Sequence, residues 1–302
     1  MFYQPPRALG LMVGAVLIAW SLGIAALLVL GTLDQPFGLL TLGTSIVIAA
    51  CLGVAGVVAY WTFSLATLSY SLDRNGLVIR WGITRQVIPL GAIERLVPGT
   101  SVGVPQVQGV SWMGYHIGRA EIQRIGDVIF YSTHQTPEQV LYVMTTERNY
   151  AISVPDPAAF ARQIQVRQDL GPTAEVTHHV ERMLSSVQGF WSDRSGWLLA
   201  LGGIGVCAAA WLALAYQYGA LPETVGLFFP PTQVAPLSDT NGKDILIGIP
   251  RAATIVLGLD LIAGILMYAW DRIVARLVLG AGILMQVAFL VAMQTAILRA
   301  GA

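Results

Sequence analysis

The stretch Leu68-Ser-Tyr-Ser-Leu-Asp-Arg-Asn-Gly-Leu-Val-Ile-Arg-Trp81 marks the point where the chain changes solvent. Before it, residues 8–63 carry a single charge, Asp34; after it begins, residues 73–169 carry nine arginines and eight carboxylates. Within it, Leu68, Tyr70 and Leu72 alternate with polar residues, and the strand-like run Leu77-Val-Ile-Arg-Trp81 follows on the far side of Asp73-Arg-Asn-Gly76. Period-two alternation broken by Asn-Gly predicts a β-hairpin, with both turn positions at positive φ.

Downstream, strand-like runs recur at Arg85–Leu90, Ile93–Val97, Ala120–Ile125, Val128–Ser132, Val140–Thr145 and Tyr150–Val154. Asp156-Pro157 then reads as an N-cap followed by proline at the first helical position, and Phe160 and Ile164 share one face of the helix it opens. About seven strands closed by one helix make a small antiparallel barrel or sandwich.

The hairpin Tyr70–Gly82, with Ile88-Pro-Leu90, Ile93 and Pro98-Gly99, resembles membrane-anchored bacterial pleckstrin-homology (PH)-like domains. The run Tyr150-Ala-Ile-Ser-Val-Pro-Asp-Pro157 is similar to the end of the same domain. The resemblance implies a helix-capped barrel used for binding and assembly, without catalysis.

Working outward from this domain, the flanking sequence belongs in lipid. Of 302 residues, 55% are hydrophobic and 11% charged, against about 25% charged in ordinary soluble domains; mean hydropathy is +0.65. Ala8–Leu30, Gly38–Phe63, Gly196–Tyr216, Ala252–Trp270 and Leu277–Leu298 each approach or exceed the ~20 apolar residues that a crossing needs. Ala8–Leu30 is too long for a signal h-region and a second span follows at once, so it reads as a retained anchor. The fold class is thus a membrane protein of about five transmembrane α-helices with one soluble PH-like β-barrel or sandwich. Its expected domains are a transmembrane hairpin at 1–66, a PH-like domain at 67–170, an amphipathic linker helix at 171–195 and a three-helix transmembrane domain at 196–302.

Arg7, Arg182, Arg194, Arg272 and Arg276 fall on one side of the bilayer if the N-terminus is inside. The expected location is the bacterial inner (plasma) membrane, with the N-terminus and PH-like domain cytoplasmic and the C-terminus outside. Lys243, Arg251 and Arg299 run against that assignment, whereas Trp61, Trp191, Trp197 and Trp270 near span ends fit an aromatic belt.

In the linker, Val176, Val180, Met183, Leu184 and Val187 recur at helical spacing, either for a helix lying on the bilayer or for one packed on the barrel. Leu221-Pro-Glu-Thr-Val-Gly-Leu-Phe-Phe229, Gly242-Lys243 and the two spans after them are similar to an uncharacterised membrane domain of Sdp-type immunity proteins. That family usually shows His-Phe where this chain has Phe228-Phe229.

The sequence contains no phosphate-binding loop, HExxH, paired CxxC or G-x-S-x-G, so no catalytic, cofactor or metal residue is assigned and no enzyme is expected. Of the four histidines, His116, His134, His178 and His179, the last two are neighbours that cannot chelate one ion together and read as surface histidines in a linker. Cys51 and Cys207 lie in apolar stretches, and zero net charge offers no footprint for nucleic acid.

Arg74, Arg80 and Arg85 are candidate contacts for anionic lipid or a partner, or plain solvated strand edges. Asp260 and Gln286, both near mid-bilayer, are a candidate intramembrane polar pair, expected to hydrogen-bond to each other. Gly10-Leu-Met-Val-Gly14 matches a close-packing GxxxG. The function these readings favour is a membrane-anchored binding and assembly protein. Its expected partners are the bilayer and other membrane proteins or further copies of itself. The alternative is a transporter- or channel-like bundle at 196–302 regulated by the PH-like domain.

Overall fold

The computed structural model describes residues 1–103, 105–123, 125–174, 176–182, 188–226 and 240–300. In chain order the elements are β1 (Phe2–Tyr3), α1 (Ala8–Thr32), α2 (Leu39–Ala66), β2 (Ser69–Leu72), β3 (Gly76–Trp81), β4 (Thr84–Pro89) and β5 (Ile93–Pro98). A single turn α3 (Gly99–Val102) precedes β6 (Gln108–Trp112), β7 (Tyr115–Ile122), β8 (Gly126–Ser132), β9 (Val140–Thr145), β10 (Asn149–Ser153) and α4 (Pro157–Leu170). Then come β11 (His179–Arg182), the short α5 (Gln188–Trp191), α6 (Arg194–Gln217), β12 (Thr224–Gly226), β13 (Thr240–Gly242), α7 (Gly248–Met267) and α8 (Arg272–Ala300). Among the described residues, five helices are long and apolar enough to cross a membrane. The protein is therefore a membrane protein carrying a β domain.

The chain divides into two compact units, residues 1–26 with 49–183, and residues 27–48 with 184–302. In the first, two sheets run in the orders β1-β2-β3-β4-β11 and β5-β9-β10-β8-β7-β6. Leu68, Tyr70, Leu72, Leu77, Ile79 and Ile88 from the opening strands bury completely, with Phe160 and Ile164 of α4 in the same core. Asp156 caps α4 as its sequence requires, accepting from the Ala159 amide at 2.9 Å. Neighbouring strands are antiparallel except β8 and β10, which run parallel from Asn149↔Val128 to Ile152↔Tyr131. Tyr70 stitches the two sheets together. Its hydroxyl donates to the Tyr131 carbonyl at 2.6 Å and accepts from the Ser153 amide at 3.2 Å.

The first hairpin closes differently from expectation. Leu72 pairs with Leu77, so four residues make the connection, and Gly76 is not among the glycines at positive φ. The Asp73 carboxylate organises the turn by accepting from the Asn75 and Gly76 amides, each at 2.7 Å. Gly76 is needed for a different reason: a Cβ there would lie 2.9 Å from the Ile88 carbonyl oxygen.

The linker also departs from its expected helix. Residues 179–182 extend the first sheet, with Val180 opposite Gln86 and Arg182 opposite Thr84. Alternation of Val180 between polar neighbours suits a strand as well as a helix, and the unpaired edge of β4 decides between them. Met183, Leu184 and Val187 of that expectation lie outside the described residues.

In the second unit, α6, α7 and α8 pack through small residues. Gly203 faces Leu257, and Gly264 lies so close to Leu279 that any side chain would collide. Cys207, Ala253 and Leu257 bury together between these helices. Past α6, the hydroxyl of Tyr218 donates to Asp244, and Lys243 pairs with Glu223 at 2.9 Å. These two contacts lie at one end of the β12–β13 ladder, where Thr224 lies opposite Gly242.

Candidate functional site

The three arginines picked out by sequence have unequal freedom. The Arg74 guanidinium donates to the Gly171 carbonyl at 3.0 Å and the Leu170 carbonyl at 2.9 Å, covering the last carbonyls of α4. Next to it, the Asn75 side-chain oxygen accepts from Thr173 and from the Ala174 amide. The hairpin tip thus clasps residues 170–174 and is not an open cradle for phosphate. Arg80 is exposed, and Arg85 is half-buried, opposite Arg80 on one side and Glu181 on the other.

The structure brings together a pair that the sequence did not reveal. Register places His116 of β7 opposite Ser132 of β8 and opposite Ser111 of β6, and His134 follows Ser132 by two residues on the same face. The two imidazoles stack with centroids 4.2 Å apart and planes inclined at 29°. Each Nδ1 is engaged by a serine hydroxyl, His116 with Ser111 at 2.8 Å and His134 with Ser132 at 2.9 Å. Burial pushes both rings below the usual histidine range, and His134 reaches about 4 because His116 adds to the effect. For His116 the shift is partly offset by the His134 main chain.

The pair borders a cavity of about 540 Å³ whose other polar lining comes from Gln106, Ser111, Gln135 and Thr136. None of the described residues lining it carries a charge. No single-sequence periodicity could have joined residues 116 and 134; the signal lay in strand register.

His178 is not the surface histidine expected. Its side chain is 6% exposed, with Nδ1 3.1 Å from Glu147 and Nε2 2.9 Å from the Tyr150 hydroxyl. Tyr150, Gln86 and Tyr131 continue the chain of polar contacts into the core.

Within the apolar helices, Asp260 and Gln286 do not form the expected mutual hydrogen bond. Gln286 is 1% exposed and donates to the Ala253 carbonyl at 3.0 Å, whereas Asp260 packs beside Gly282. The reason is register: α7 ends at Met267 and α8 starts at Arg272, so Leu277 is already five residues inside α8. With Asp260 level with Gly282, Gln286 lies one helical turn away, ~6 Å along the axis. One oxygen of each residue, Asp260 Oδ2 and Gln286 Oε1, is buried without a hydrogen-bond partner.

A charged cluster missed by sequence sits where α6 begins. Asp193 caps α6 through the Ser195 amide and accepts from the Tyr268 hydroxyl at 2.6 Å and from Arg276 Nε at 2.9 Å. Arg276 and then Tyr268 hold its carboxyl well below the usual carboxylate range. Among the described residues, no group of three or more His, Cys, Asp or Glu side chains is placed to hold a metal ion.

A helix-capped β domain in a chain with five long apolar helices defines a membrane-anchored protein. Residues 68–168 match the family model of a bacterial PH domain, so the PH-like domain expected from the hairpin is present. No curated protein and no solved structure matches the chain. β1 and β11, which close the two edges of the first sheet, lie outside the matched residues.

Proposed function

We propose that this chain is a membrane-anchored binding and assembly protein whose PH-like domain engages a protein partner on the cytoplasmic side of the bacterial inner membrane. The observation that carries this reading is the engagement of Arg74. PH domains that hold phosphoinositides gather cations at the first hairpin, and here that cation is committed to the Leu170 and Gly171 carbonyls. Arg80, the exposed one of the other two, would add only ~1 kcal/mol, too little for tight lipid attachment. The spans serve as anchor and assembly platform, and no bond-making role is assigned to any residue. Purification from native membranes in mild detergent tests the reading. A stoichiometric partner that is lost on Arg80→Glu supports it. Tight, salt-sensitive binding of the protein to phosphoinositide vesicles overturns it in favour of lipid.

A second reading rests on the two unpartnered oxygens of Asp260 and Gln286. Buried acceptors without donors suit a proton or small cation, which keeps the transporter-like alternative for 196–302 in view. It would also suit the resemblance of 221–298 to Sdp-type membrane domains, of which Phe228-Phe229 lie outside the described residues. Asp260→Asn separates the readings. Under binding and assembly, stability and partner retention are expected to persist, because the amide has the same shape as the carboxyl group it replaces. A stable variant that has lost proton- or ion-coupled flux in liposomes would favour transport.

A further inference from the structure

We propose that the cavity beside His116 and His134 binds an uncharged, hydroxyl-rich lipid head group, such as that of a glycosyl diacylglycerol. Its volume of about 540 Å³ is in the range of pockets that enclose a small ligand, roughly 300–1,000 Å³. Its polar groups are amides, hydroxyls and imidazoles, which pair with sugar or glycerol hydroxyls as donors and acceptors. With no lysine or arginine among its described lining residues, it lacks the groups that recognise anionic head groups. Nor does it suit a metal: the lone pairs of nearly parallel rings point alongside each other and do not converge on one ion.

Two independent observations place the cavity at head-group depth. Leu9, which lines it, is the second residue of α1, a helix of 25 residues. At 1.5 Å per residue that helix is ~37 Å long, enough to carry its first turn past ~30 Å of hydrocarbon into the interface. Trp112, next to the cavity-lining Met113 and Gly114, donates from Nε1 to the Gly10 carbonyl at 3.2 Å and lies 6.2 Å from Trp61 near the end of α2. Trp61, near a span end, is of the residue type expected at the membrane–water boundary, and its contact with Trp112 sets β6 beside that level. Met113, 69% exposed at the cavity mouth, offers an apolar surface to the first carbons of an acyl chain.

The test uses the full chain in phosphatidylcholine nanodiscs and follows imidazole resonances, which four histidines in the sequence make assignable. Monoglucosyl diacylglycerol is expected to shift His116 and His134 saturably and to leave His179 unmoved. Gln135→Leu combined with Thr136→Val should weaken that binding about tenfold, the loss of one or two hydrogen bonds, and Arg80→Gln should not change it. No saturable shift, or a larger response to phosphatidylglycerol, overturns the proposal. An equal response to methyl glucoside would overturn the lipid assignment in favour of a soluble polyol.

Discussion

Arg74 shows how a single side chain can be misjudged when its surroundings are unknown. In sequence it is a cation near a hairpin; in the fold it satisfies two carbonyls at the end of α4. Arg74→Ala is therefore expected to destabilise the β domain by about 1 kcal/mol and to leave vesicle binding unchanged, checked by thermal melts and sedimentation with vesicles. His116 and His134 give the second prediction at this scale. Unfolded histidine binds its proton near 6.5, whereas folded His134 does so only at about 4. Between those values the unfolded chain holds more protons, so stability is complete above about pH 6.5 and is lost as pH falls toward 4. The loss should be on the order of 1–2 kcal/mol, because the rings retain some solvent access. A Tm that does not fall between neutral pH and about pH 5, or one that falls equally in His134→Gln, would contradict the assignment.

At the scale of elements, legibility followed how strongly the environment enforces a pattern. The strands at 69–72, 76–81, 84–89, 140–145 and 149–153 were readable because each places fully buried residues in the core. β6 and the first half of β7 were not, since Gly109 and Gly118 face each other across the ladder and erase the alternation. A Cβ on Gly118 would come 3.0 Å from the Gly109 Cα and closer still to Gln108. Gly118→Val is thus expected to cost about 3 kcal/mol and to remove hydrogen-exchange protection from Gln108–Trp112 before the rest of the sheet. Retained protection there would show that the strands can separate without penalty. The Asp260–Gln286 pairing failed for a related reason. Hydropathy locates a span to within several residues, but helix register depends on where the turn between α7 and α8 begins.

At the scale of the whole molecule, five apolar helices and a β domain were legible because lipid and water impose different compositions. Orientation rests on charge alone, and Arg7, Arg182, Arg194, Arg272 and Arg276 argue for a cytoplasmic β domain. In a background lacking Cys51 and Cys207, a cysteine replacing Gln135 is expected to resist a membrane-impermeant thiol reagent in intact cells, and one replacing Thr232 to react. The reverse labelling would invert the topology. What composition could not convey is which distant segments finish the first sheet, since two-residue β1 and four-residue β11 are too short to carry a pattern of their own.

That completion by β11 has a consequence for the protein's birth. Its neighbour β4 ends at Pro89 and β11 ends at Arg182, so 93 residues must leave the ribosome between them. At roughly 5–20 residues per second, the edge of β4 waits about 5–19 s for its partner. Throughout that interval a nascent chain displays unpaired backbone along Thr84–Pro89, open to strands of neighbouring nascent chains on the same message. Slowed translation upstream of codon 179 should lengthen that exposure and raise the yield of misassembled product, even though the finished sequence is unchanged.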